Sequence, residues 1–300
     1  MPASVWIQFG MLALTGVLFA AAFLLGWRHM RRAAEMAQAN GGGPLRLSHE
    51  STMGGAARGA VIAAIVLGVG LLAWRATGQT GGEEAARRFA LRLTNPFDAF
   101  LVLGLLLAIM AISFRRTRHL RSLSFFLLPM IVVLLALGIV LAAVHSGGVE
   151  EPRDPRNIWI GIHVIAIVAA TVCFALGCVG AVVYLRAARQ LRHKGGTTDM
   201  SSSWLRYPPL ASVEKFNQVM TYCGFPLLTI ATFSGILRLA QAGGFAGPGE
   251  MVKLGCGALS WAVYAVLLHV PPRFRGRRAA WMSIVGFAVF TGGFIASRWS

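Results

Sequence analysis

The chain has 300 residues, of which 56% are hydrophobic and only 13% charged, with a mean hydropathy of +0.65 and a formal net charge of +17. A soluble domain of this size carries about 25% charged residues, so the composition excludes a soluble globular protein and calls for an integral membrane protein. Basic residues point to nucleic acid only when they share a soluble face; here they stand in short clusters between apolar runs, which leaves the lipid bilayer as the partner and no nucleic acid.

In chain order, apolar runs fall at about 4–27, 58–74, 97–114, 122–144, 158–185, 213–240, 252–270 and 280–297. Each is close to the ~20 residues a helix needs to cross ~30 Å of hydrocarbon, so the sequence predicts an all-α polytopic bundle of about eight transmembrane helices in a single integral-membrane domain, residues 1–300. The first run has no basic leader and no small-residue cleavage site, and reads as a span rather than a signal peptide. Residues 28–57 carry Gly41, Gly42, Gly43 and Pro44 and read as a cytoplasmic linker loop.

An even number of spans puts both termini on one side. The loops after spans one, three, five and seven hold most of the 28 Lys and Arg residues, in clusters such as Arg28, Arg31 and Arg32, Arg115, Arg116, Arg118 and Arg121, and Arg273, Arg275, Arg277 and Arg278. Positive residues mark the cytoplasmic side, so both termini are expected outside. The outer loops at about 75–96 and 145–157 carry Glu83, Glu84, Glu150, Glu151 and Asp154, most simply a solvated face beside the headgroups.

Cys173, Cys178, Cys223 and Cys256 all lie within spans and form no C-x-x-C pair, so they read as small packing residues rather than a thiol relay or a zinc site. Nucleophile triads, phosphate-binding loops and paired intramembrane carboxylates are absent from the sequence. Asp98 and Glu214 stand at span ends, where a carboxylate caps a helix or reaches water. The chain is therefore expected not to be an enzyme in its own right.

Of the 7 histidines, His163 and His269 sit inside long apolar segments. An ionisable ring is expensive to bury in a bilayer, and such a ring is a candidate for metal, haem or proton handling. With span five entering from outside, His163 lies ~8 Å below its outer end, whereas His269 closes span seven at the cytoplasmic side. A separation of roughly 20 Å along the membrane normal is too large for one iron, whose ligand bonds are about 2 Å long. His145, at the outer end of span four, is the other histidine that can approach His163 through a short connection. For each ring the structural alternative is a hydrogen bond to a neighbouring helix.

The stretches LTNPFDAFLVLG (93–104), NIWIGIHVIAIVAATVCFALGCVGAVVYL (157–185), PPLASVEKFNQVMTYCGFPLLTIATFSGIL (208–237) and VKLGCGALSWAVYAVLLHVPPRFRGRRAA (252–280) follow one another in an order that resembles the cytochrome c assembly family, in its CcsA and HemX-like branch. The resemblance covers about two thirds of the chain. It implies a multi-pass protein of the bacterial inner (plasma) membrane, handling haem on its way to apocytochrome c. It further implies that His163 begins the helix before the family's tryptophan-rich loop, and that His269 closes the helix after it, with Lys253, Trp261, Tyr264 and Ala265 at matching spacing. The loop itself departs from the pattern: AQAGGFAGPGEMVKLGC (240–256) has no tryptophan, and Met251 and Cys256 stand where an Asp and a Trp are expected. The HemX-like branch, shorter and with a degenerate loop, fits this chain better in length and ending.

Taken together, the expected function is haem binding and relay in cytochrome c-type biogenesis, with haem b as the bound group. His163 and His269 are the expected iron ligands, and His145, Arg238 and Trp261 further cofactor-binding candidates. Arg238 suits a haem propionate, because a guanidinium grips carboxylates bidentately, or else snorkels to headgroups. Trp261 and Tyr264, three apart on one helical face, suit porphyrin stacking or plain packing. Expected partners are a second cytochrome c assembly membrane protein and apocytochrome c. The alternatives are a HemX-like non-haem regulatory or assembly factor, and a small-molecule membrane transporter, although no inverted repeat or pair of broken helices supports the latter.

Overall fold

The computed structural model describes residues 3–39, 55–77, 96–116, 121–144, 158–193, 209–241, 247–269 and 276–296. They form eight α-helices in the order read from the sequence: α1 (Ala3–Ala39), α2 (Gly55–Thr77), α3 (Pro96–Arg116), α4 (Arg121–Val144), α5 (Ile158–His193), α6 (Leu210–Gln241), α7 (Pro248–His269) and α8 (Arg277–Ala296). Among the described residues there is no strand, and the protein is an all-α polytopic membrane helix bundle. Among the described residues, five helical stretches are long and apolar enough to span: Gly55–Trp74, Trp159–Gln190, Leu210–Gln241, Gly249–His269 and Arg277–Ala296. Shorter apolar stretches run over Ala13–His29, Asp98–Phe114 and Phe126–Leu141.

Two helices outrun their apolar runs. α1 continues to Ala39, into the segment read as a linker from residue 28, because Ala33, Ala34, Glu35, Met36 and Gln38 are good helix formers and no breaker precedes Gly41. α5 likewise passes residue 185 and ends at His193, shortly before Gly195 and Gly196. Hydropathy marks where a helix meets water; propensity decides where it stops.

Without water in the bilayer core, hydroxyls must also find partners, and they do so within their own helices. In α6 alone Thr221 donates to Asn217 O, Thr229 to Phe225 O, Thr232 to Leu228 O and Ser234 to Ile230 O, at 2.7–3.0 Å. Pro226 interrupts the same helix, having no N–H to offer the Tyr222 carbonyl.

The chain is organised as two compact units: Met1–Arg75 with Phe100–Val140 and Arg186–Pro209, and Ala76–Ala99 with Leu141–Leu185 and Leu210–Ser300. In the first, glycines let helices close on one another. A Cβ on Gly68 of α2 would stand 2.8 Å from Leu105 Cδ2 of α3, and one on Gly138 of α4 would stand 2.7 Å from Phe100 Cβ of α3. Leu101, Leu107, Leu127, Leu128 and Ile131 are fully buried there. In lipid such seams hold by close van der Waals contact, since apolar burial gains nothing over the acyl chains.

The second unit is built on the antiparallel pairs α5–α6, α6–α7 and α7–α8. Gly224 of α6 lies on Phe174 and Cys173 of α5, and Gly177 and Gly180 of α5 lie on Asn217 and Phe216 of α6. Gly293 and Gly286 of α8 receive Cys256 and Tyr264 of α7. At its centre the Phe174 and Tyr264 rings stack with centroids 3.7 Å apart and 10° between planes, with Phe290 edge-on to Phe174. Tyr264 is fully buried and its hydroxyl lies 3.4 Å from Ser283 O.

Candidate functional site

His163 is the sixth residue of α5 and lies half-buried against α6. Its Nδ1 is 2.7 Å from the carbonyl oxygen of Ala231. A carbonyl only accepts, so Nδ1 carries the proton and Nε2 carries the lone pair in the neutral ring. The ring fits because the residue one turn further along α6 has no side chain: a Cβ on Gly235 would stand 3.1 Å from His163 Cε1 and 3.2 Å from Nδ1. At the same level of the two helices Ile230, Phe233 and Ile236 of α6 and Ile162 and Ile165 of α5 are exposed apolar side chains, with Phe233 and Ile165 on the faces turned away from the seam.

A backbone carbonyl that fixes the Nδ1 proton is the usual outer-shell arrangement of a metal-ligating histidine, since it orients the ring and presents Nε2 as the ligand atom. By donor chemistry His163 therefore fits an axial ligand to haem iron.

His269 is the last residue of α7 and is exposed. Its Nδ1 contacts the carbonyl of Ala265 in its own helix at 2.8 Å, which caps that terminus and again leaves Nε2 as the lone-pair nitrogen. The structure does not bring His269 to His163. The α6–α7 register, set by Arg238 with Glu250 and Thr229 with Trp261, places His269 level with about residue 219 of α6, whereas His163 is level with Ala231–Gly235. That interval corresponds to about 20 Å along the helix axis. His145 lies outside the described residues.

Arg238 follows Ala231 and Gly235 on one face of α6, in the i, i+4, i+7 spacing that lines up side chains on a helix, so it stands one turn beyond the His163 niche. Its Nη2 donates to Glu250 Oε1 in the first turn of α7 at 3.0 Å, with about a quarter of each side chain exposed. The guanidinium thus grips a carboxylate of its own chain, a partner that neither the propionate nor the headgroup reading contained. Glu250 is the residue that sequence reasoning passed over. It lies twelve positions away across a helix break, and no local spacing signals such a pair.

Trp261 and Tyr264 part company despite their spacing. Trp261 is 39% exposed, its indole N–H donates to Thr229 Oγ1 at 3.0 Å, and its ring lies 5.4 Å from that of Phe225. Tyr264 faces inward onto Phe174 and packs the core. All four cysteines are free: Cys173 packs against Gly224 and Cys256 against Gly293, whereas Cys223 is exposed. Among the described residues, no three His, Cys, Asp or Glu side chains cluster as a metal site.

No curated protein and no solved structure matches this chain. The sequence model of the family described as Cytochrome C assembly protein matches residues 93–300, which takes in α3 to α8 and with them every residue of the α5–α6 seam. A match over more than half of the chain shows the family: this chain belongs to the cytochrome c assembly proteins, and its role lies in cytochrome c biogenesis.

Proposed function

We propose that this protein binds haem b and relays it during cytochrome c assembly, with His163 as an axial ligand through Nε2. The observation that carries the reading is the 2.7 Å contact from His163 Nδ1 to Ala231 O, in a chain of this family. Haem supplies an iron that accepts an imidazole nitrogen. The residues of this chain do the rest. Ala231 holds the tautomer and Gly235 makes room for the ring. Arg238, one turn away, serves a propionate when Glu250 releases it. His269 is a second ligand at the other end of the unit, and Trp261 an aromatic edge between the two levels. His145 is a further candidate ligand for the outer site. The protein acts by binding and relay and not as an enzyme. It sits in a bacterial inner membrane with both termini extracytoplasmic, and works with a second membrane assembly protein and apocytochrome c.

One observation favours a second reading. Because Arg238 is already held by Glu250, the chain is also fitted to be a non-haem assembly or regulatory factor of haem metabolism. The test between the two is whether protein purified from haem-replete cells carries a Soret band that His163→Ala removes.

A further inference from the structure

At the opposite end of the second unit from His163, where α5 and α7 finish and α6 and α8 begin, the helices leave a cleft of about 40 Å³. Its polar lining is Tyr184, Glu214, Asn217, Gln218, Thr221 and Tyr222, and Leu267, Leu268 and Ala280 close it on the apolar side. The space holds a few water-sized groups, which suits a small ion with bound water or an ammonium head. Among the described residues the carboxylate of Glu214 is the one formal charge on the lining; Lys215, Arg277 and Arg278 flank the cleft in sequence and are exposed. Lys215, the chain neighbour of Glu214, lies within a Debye length of it, so solvent and salt weaken its repulsion of a cation without removing it.

The remaining groups are rich in oxygen. Gln218 Nε2 donates one of its two N–H groups to Tyr222 Oη at 3.3 Å, and its amide oxygen is an acceptor. Asn217 Oδ1 accepts from Ser283 at 3.3 Å and has a second lone pair. Tyr184 lies within electrostatic range of Glu214, and its hydroxyl stands 2.8 Å from where a Cβ on Gly276 would be. Gly276 has φ +77°, so a glycine at this turn both permits the backbone and makes room for the tyrosine.

One carboxylate among neutral oxygen donors matches one positive charge. Among the described residues the lining holds no second carboxylate and no soft ligand, as a divalent or transition metal prefers. We infer that this cleft is a binding site for a compact monovalent cation, either an alkali ion or a primary ammonium group, with Glu214 as the counter-charge. The site is distinct from the His163 seam and does not depend on haem binding.

The test is the melting temperature of the purified full-length protein in detergent, titrated with sodium, potassium or methylammonium chloride against N-methylglucamine chloride at constant ionic strength. The expected result is a saturable rise of about 3 °C with at least one of the three probes. Which probe acts tells an alkali ion from an ammonium group. Glu214→Gln should abolish the rise. Equal melting in all four salts, or an undiminished rise in Glu214→Gln, overturns the site. If Glu214→Gln gives no folded protein, Thr221→Val should raise the half-saturating concentration about tenfold, and an unchanged value overturns the proposal equally.

Discussion

His163 of α5 donates a hydrogen bond to the backbone carbonyl of Ala231 of α6 across 2.7 Å, and this one contact sets both the orientation of the ring and which nitrogen bears the lone pair. It is compatible with a structural histidine and with a ligand, because both satisfy Nδ1. What separates them is whether Nε2 holds iron.

The glycine beneath the ring gives a first way to tell. A Cβ at residue 235 would sit 3.1 Å from His163 Cε1, so Gly235→Ala should push the ring by a few tenths of an ångström and Gly235→Leu should expel it. The expected outcome is a partial loss of haem per protein for Ala and a near-complete loss for Leu, read as the ratio of Soret to protein absorbance. Full absorbance in a folded Gly235→Leu protein would count against a haem seat at this seam.

The Arg238–Glu250 pair, about a quarter exposed on each side, contributes only about 0.2–1 kcal/mol to stability, because solvent screens it. A double-mutant cycle of melting curves with Arg238→Gln and Glu250→Gln should return a coupling in that range, smaller at high salt. If Arg238 serves a propionate, Glu250→Gln frees the guanidinium and should tighten haem retention several-fold, whereas Arg238→Gln should weaken it. Equal retention in both variants would remove Arg238 from the site.

Tyr264 tests the core of the second unit independently of any ligand. Removing a fully buried ring stacked on Phe174 should cost about 3–5 kcal/mol in Tyr264→Ala. Tyr264→Phe should stay within about 1 kcal/mol, since the hydroxyl makes one long contact to Ser283 O at 3.4 Å. Thermal melting checks both, and a Phe variant as damaged as the Ala variant would mean that the hydroxyl carries more than packing.

The basic clusters between apolar runs predict an orientation. A reporter active only outside the cytoplasm should be active when fused after Ser300 and inactive when fused after Arg118, between the third and fourth spans. The reverse pattern would invert the levels assigned to His163 and His269.

Much of the fold was legible because hydropathy periodicity is blunt and long: eight apolar runs correspond in order to eight helices. Their ends were less so. Arg186–His193 and Arg28–Ala39 are polar yet helical, and propensity without hydrophobicity leaves a faint trace. Of the site, the sequence singled out His163 by the cost of an imidazole in lipid. It could not show Ala231, since a backbone carbonyl has no residue signature, nor Gly235, one glycine among 35. Glu250 and the cleft around Glu214 stayed hidden for another reason: helix register, set by glycine seams, decides which distant residues meet.

The most direct measurement is the visible spectrum of the full-length protein purified in detergent from haem-replete cells, alongside His163→Ala. The account predicts a Soret band in the wild type, strongly reduced in His163→Ala and restored in part by added imidazole, while His269→Ala has the smaller effect. A folded wild-type protein without Soret absorbance, or a His163→Ala variant with an unchanged band, would contradict it.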